Sequence, residues 1–312
     1  MDRRMATWTG LAMVVVLVAG CTGSAGTPGP SGSSASATSP TSPGSSTPSP
    51  GPVAPQVYRL RATTTQALPP LTRFGWLPTV AITGDLRVVT AGPMVEIYPG
   101  PLLPNLQARS LTADGFAKIV DRARTLGLLT GSGDFTPPNP MVGGSLGRVE
   151  IRVDGVLHDL TGDPARLVRC GAARCIPDPG TPEAFAAFWQ AIADLSWLEA
   201  DLGPQVAYVA DSYAILVGVE PAEQPSLEPK VITWPLSTPL AAFGIPVGNS
   251  PEQRCGTVRG SDAAAVRPAL VSANQLTRWI DTGMVATQGR ALQVRPMVSG
   301  EDVCGELFGV AP

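Results

Sequence analysis

Residues 22–55 contain only Ser, Thr, Gly, Pro and Ala apart from Val53, with no charged or aromatic side chain among them. Such a stretch buries too little apolar surface to offset the entropy lost on ordering it. It therefore divides the chain, and whatever folds must do so from residue 56 onward. Prolines at 40, 43, 48, 50 and 52 favour extended, polyproline-like backbone. The stretch reads as a tether that reaches roughly 30–35 Å as a coil and about 100 Å if fully drawn out. Its Ser and Thr residues beside Pro have the composition of O-glycosylated stalks.

A short leader precedes the tether. Arg3 and Arg4 supply positive charge, and residues 11–19 are an unbroken apolar run. That run is well short of the ~20 residues a permanent membrane helix needs, as in a secretory signal peptide. It ends in Leu17-Val18-Ala19-Gly20-Cys21, which resembles the lipobox of bacterial lipoproteins, with Val18 where Leu is commoner. The resemblance implies a signal peptide over 1–20, cleavage before Cys21 and a thioether-linked diacylglycerol on that cysteine. In some bacteria the new amine is acylated as well, as with palmitate. The expected location is extracytoplasmic and lipid-anchored, with the membrane as partner through Cys21. Two or three acyl chains make such anchoring stable where one is marginal. The competing reading is an ordinary cleaved signal with an incidental Cys21.

Residues 56–312 carry enough apolar material for one large domain, or for two small ones (56–203 and 204–312) divided near Gly203-Pro204. A net charge of −3 over the chain gives no electrostatic footprint for nucleic acid. Segments 80–83 and 86–90 flank Gly84-Asp85 as a hairpin, and 94–98 reads as a third strand. Thr112 caps a helix with Phe116, Ile119, Val120, Ala123 and Leu126 on one face and Gly127 as its stop. Asp154-Gly155 joins 149–153 to 156–160 in the strongest hairpin signal of the chain. Thr181-Pro182-Glu183 opens a second helix, with Phe185, Phe188, Trp189, Ile192 and Leu195 inward.

Further on, 206–219, 231–234 and 292–294 read as strands, and 240–243 as a short helical turn. A helix capped by Ser261 or Asp262 is expected to run to Ile280, kinked at Pro268. The fold class is therefore α+β: antiparallel sheets with three to four packed helices, bridged by disulfides.

Cys170, Cys175, Cys255 and Cys304 make an even set in an exported domain, which argues for two disulfides. Three connectivities exist, and proximity favours Cys170–Cys175 and Cys255–Cys304. The latter is expected to tie the start of the last helix to the end of the last strand. A four-cysteine zinc site is the rival, but Cys255 and Cys304 lack paired short spacing. No metal or cofactor is expected.

His158 is the only histidine, which removes two-histidine zinc helices. Neither lysine follows a Ser-x-x pattern, and no Gly-rich stretch leads into Lys-Ser or Lys-Thr. Gly143-Gly144-Ser145-Leu146-Gly147 matches the nucleophile elbow of hydrolases, which requires a strand-to-helix turn. Here a Pro-rich loop precedes it and a strand follows, so Ser145, Asp154 and His158 are not expected to form a triad. Asp211, Glu301 and Asp302 read as solvated loop charges, although scattered carboxylates leave a hydrolase open. The Trp residues at 76, 189, 197, 234 and 279 suit core packing better than a sugar-binding groove.

Pro104-Asn105-Leu106-Gln107 with Leu111-Thr112, and the tail Cys255-Gly256, Trp279, Arg295-Pro296 and Cys304, resemble patterns in uncharacterised exported proteins of GC-rich bacteria. The resemblance implies an exported α+β domain with a Cys255–Cys304 bridge and no transferable activity. No catalytic residue is assigned. The leading expectation is a non-enzymatic envelope lipoprotein whose domain binds an envelope protein or cell-wall component. A small-ligand or carbohydrate-binding lipoprotein associated with transport is the alternative, and an envelope hydrolase is a third.

Overall fold

The computed structural model describes residues 58–131, 133–139, 144–166, 177–218, 227–248, 250, 252–285, 288–298 and 300–309. Cys21, the leader, the tether, Cys170 and Cys175 lie outside the described residues.

The first half supplies β1 (Leu60–Thr65), α1 (Pro70–Arg73), β2 (Val80–Ile82), β3 (Arg87–Ala91), β4 (Leu106–Ser110), α2 (Ala113–Thr125), β5 (Asp134–Phe135), β6 (Leu146–Val153), β7 (Val156–Gly162) and α3 (Pro182–Ala193). With β8 (Val206–Ala207) they form an eight-stranded sheet in the order β5-β7-β6-β1-β2-β3-β4-β8. All pairs are antiparallel except β5 with β7.

Turn chemistry fixes the two hairpins. Asp154 and Gly155 both have positive φ, 51° and 82°, as a two-residue type I′ connection demands. This sets Val153 opposite Val156. Between β2 and β3 the Leu86 amide closes on the Thr83 carbonyl, and Leu86 itself takes the left-handed conformation at φ 61°.

One face of this sheet meets two helices. Leu60, Ala62, Val149, Ile151 and Leu160 pack against Phe116, Ile119 and Ala123 of α2 and Phe185, Phe188 and Ile192 of α3. Thr112 caps α2 through the Gly115 amide, and Thr181 caps α3 through the Ala184 amide. The α3 aromatics come down on two cross-strand partners, Gly147 and Gly162. A Cβ on Gly162 would stand 2.5 Å from the Phe185 ring, and one on Gly147 2.8 Å from the Trp189 ring.

The second half adds β9 (Ser212–Val217), β10 (Val231–Thr233), β11 (Ile245–Pro246), β12 (Arg254–Arg259), α4 (Gly260–Ser272), β13 (Arg278–Ile280), β14 (Leu292–Pro296) and α5 (Val303–Phe308). Its sheet runs β11-β12-β9-β14, with β10 and β13 as a separate parallel pair. Every residue of β9 is buried. Tyr213, Ile215 and Val217 face a core with α4, Trp234 and Trp279, while Ala214 and Leu216 face Phe74, Val303 and the cysteines 255 and 304. A strand covered on both faces reads as a continuous apolar run.

Four expectations need correction. Residues 94–98 are not a strand but an exposed segment, and β4 is the strand paired to β3. The 206–219 strand is two short strands, β8 and β9, joined to different sheets. The last long helix continues past Pro268 but stops at Ser272, so Trp279 lies on β13. There the Asn274 side chain accepts from the Leu276 amide, an Asx turn that redirects the chain. Neither Ser261 nor Asp262 is its cap, since the helix begins at Gly260.

Candidate functional site

Alternation along β1 points Leu60 and Ala62 at the helices and Arg61 at the opposite face. There the second half covers the sheet, and Arg61 becomes the centre of a buried ion network. Its Nε donates to Glu150 Oε2 at 2.7 Å, and its Nη1 donates to Glu306 at 2.9 and 3.2 Å. Glu301 stands 3.8 Å from the same nitrogen. Glu301 is fully buried, accepting from Arg295 Nη2 at 2.6 Å and from the Val298 amide at 2.8 Å. Arg148 joins from β6, 3.3 Å from Glu150 and bidentate to Asp159 at 2.8 and 2.7 Å.

The charges hold one another. Burial alone would lower the Arg61 pKa, but Glu306 and Glu150 together hold it above its ordinary value. Hydrogen bonds from Arg148 keep the Asp159 carboxyl below the usual carboxylate range. Burial, with Glu150 adding to it, pushes the Tyr58 hydroxyl up. The Tyr58 ring lies under the Arg61 guanidinium at 4.8 Å.

Beside the network lies a recess of about 240 Å³ lined by Arg61, Arg148, Arg295, Glu306, residues 63–65 of β1, and Arg73, Trp76, Leu77 and Leu307. Phe74, fully buried against the Cys255–Cys304 pair, pins the turn that presents Arg73 and Trp76. The Trp76 amide closes that turn on the Arg73 carbonyl at 3.0 Å. The disulfide joins β12 to α5, with a Cα separation of 5.8 Å. It thereby fixes the helix that carries Glu306 and Leu307. The expectation that it joins a helix start to the last strand is corrected: Cys255 is a strand residue and Cys304 sits on a C-terminal helix.

Other candidates fall apart in space or serve the fold. His158 pairs with Ile151, so Ser145 lies six residues further along the neighbouring chain, about 20 Å away at strand rise. Asp154 occupies the turn and meets Arg124. Asp302 caps α5 through the Gly305 amide, and Asp211 accepts from Ser212 Oγ. Glu301 is corrected from a solvated loop charge to a buried one, because a second half packed over β1 gives it two arginines. Trp234 and Trp279 are fully buried, Trp189 nearly so, and Trp76 is half-buried at the recess. With Cys255 and Cys304 oxidised, a four-cysteine zinc centre is excluded.

Among the described residues no group of three or more His, Cys, Asp or Glu is placed to hold a metal. The carboxylates that meet here face Arg61 rather than each other. Such an arrangement binds charge, and each acid is already engaged by a guanidinium.

Sequence reasoning missed Arg61, Arg73, Glu150, Arg295 and Glu306. Only the Arg-and-Glu alternation of 148–152, with Arg148, Glu150 and Arg152, carried a signal. Among the described residues no helix is long and apolar enough to cross a membrane. Comparison of the chain with protein-family models, curated proteins and solved structures returns no match.

Proposed function

We propose that the chain is a bacterial envelope lipoprotein, anchored outside the cytoplasm through acylated Cys21, whose domain works by binding. The observation that carries the anchor is the passage from the 11–19 apolar run through Val18-Ala19-Gly20 to Cys21, followed at once by an uncharged tether. Binding is supported by the recess, where arginines, threonines and Trp76 converge while the neighbouring carboxylates are engaged by guanidiniums. A small-ligand role of the kind that serves transport is favoured over a flat protein interface by the concavity and by Trp76 on its wall.

Intact mass of the native protein tests the anchor. The expected species begins at Cys21 and carries the mass of two or three acyl chains, and Cys21→Ser loses both the acyl mass and incorporation of labelled palmitate. Recovery of a soluble chain that keeps residues 1–20 overturns the reading.

A further inference from the structure

We infer that the recess between β1, β14, α5 and the turn at Arg73 is a binding site for a small organic monoanion, a carboxylate carrying an apolar body. Three of its four arginines are matched: Arg61 by Glu150 and Glu306, Arg148 by Asp159, and Arg295 by Glu301. Arg73 meets no carboxylate among the described residues, so its guanidinium is the one in the recess without an ion pair there. The Nε atoms of Arg73 and Arg295 are shut away from solvent and make no hydrogen bond among the described residues. Arg295 is itself only 8% exposed. Buried guanidinium donors without acceptors are costly, and a planar carboxylate is the group that meets Nε and a terminal nitrogen together.

The four carboxylates Glu150, Glu306, Asp159 and Glu301 balance the four arginines, so a monoanion at Arg73 adds one negative charge where a phosphate monoester adds nearly two. Trp76, Leu77 and Leu307 supply an apolar wall for the rest of the molecule. A volume of about 240 Å³ limits the ligand to less than a drug-sized body. For a ligand to meet the Arg73 Nε the guanidinium must turn, since that atom is closed to solvent in the free chain.

This deepens the binding reading proposed above and is independent of the lipid on Cys21. The test is ligand-detected NMR titration of the purified full chain in detergent with benzoate, its neutral isostere benzamide, and inorganic phosphate. Benzoate is expected to bind, with benzamide and phosphate each about tenfold weaker or more. Arg73→Gln is expected to weaken benzoate about tenfold, with Arg73→Lys in between because it keeps the charge and loses the fork. Arg73 is only half-buried, so its variants report on binding without risking the fold; Arg295→Gln is read only if its circular dichroism matches the parent.

Equal binding of benzoate and benzamide overturns the anion assignment while leaving a ligand-binding domain. Tighter phosphate binding overturns the monocarboxylate class. Unchanged benzoate affinity in Arg73→Gln, or no benzoate binding, overturns the site. A missing acyl mass on Cys21 affects the anchor alone.

Discussion

Glu301 and Glu306 both reach Arg61, yet neutralising them should have very different consequences. Glu301 has no solvent exposure, whereas the Glu306 side chain is 46% exposed. One Glu301 oxygen takes the Arg295 bond and the other takes the Val298 amide. Glutamine at 301 keeps a single acceptor, so one of those bonds becomes a clash between donors, and buried Arg295 loses its carboxylate. Removing one partner of a buried pair costs about 3–5 kcal/mol. Because the amide keeps one acceptor, we expect Glu301→Gln near the lower end, about 3 kcal/mol.

Glu306 itself is half-exposed, so Glu306→Gln, which leaves Arg61 paired to buried Glu150, should cost less than about 1 kcal/mol. Urea unfolding at pH 7 of the chain from residue 22, followed by tryptophan emission, reads both variants. At a slope of ~1–3 kcal/mol/M the Glu301 variant shifts the midpoint by about 1 M or more. A Glu301 variant within about 0.5 kcal/mol of the parent, the scatter ordinary for surface substitutions, would refute the buried network. So would a larger loss from Glu306.

Four further outcomes follow from the geometry. Gly162→Ala drives a methyl to 2.5 Å from the fully buried Phe185 ring and should destabilise by about 1–3 kcal/mol in the same assay; no loss would mean that α3 does not lie on this pair of strands. Replacing both Cys255 and Cys304 by Ala opens a link of sequence separation 49 and should lower stability by about 2–4 kcal/mol. Thiol labelling of the denatured, unreduced chain from residue 22 should find neither of them reactive. Asp159, whose folded pKa is depressed, contributes stability that is present above its unfolded value of about 3.9 and is lost as pH falls below it. The urea midpoint of Asp159→Asn should therefore fall less steeply than the parent's between pH 5 and 3, and parallel curves would show that the Arg148 pair contributes nothing.

The elements legible in the sequence were those whose signals are local. Asp154-Gly155 names its turn, Thr112 and Thr181 name their caps, and the Phe116 and Phe185 faces repeat at helical spacing. The end of α4 was not legible because an asparagine side chain, not Gly or Pro, turns the chain, and the apolar residues run on through Val271. The 94–98 segment has a strand's composition but pairs with no strand among the described residues. Burial of Arg61 and Glu301 depends on contacts 245 residues apart in sequence, such as Arg61 with Glu306, which no window of sequence encloses. The anion recess is made of residues from five separate segments, and only the fold brings them together.

β1 is the fourth of eight strands, bonded to β6 on one side and β2 on the other, and the described chain enters it within two residues of Tyr58. A pull arriving from the N-terminal direction along that strand acts on both rows of bonds at once, in shear, instead of peeling an edge bond by bond. The domain should thus yield to such a load as a unit, its lifetime under tension set by the global unfolding barrier and not by fraying of a border strand.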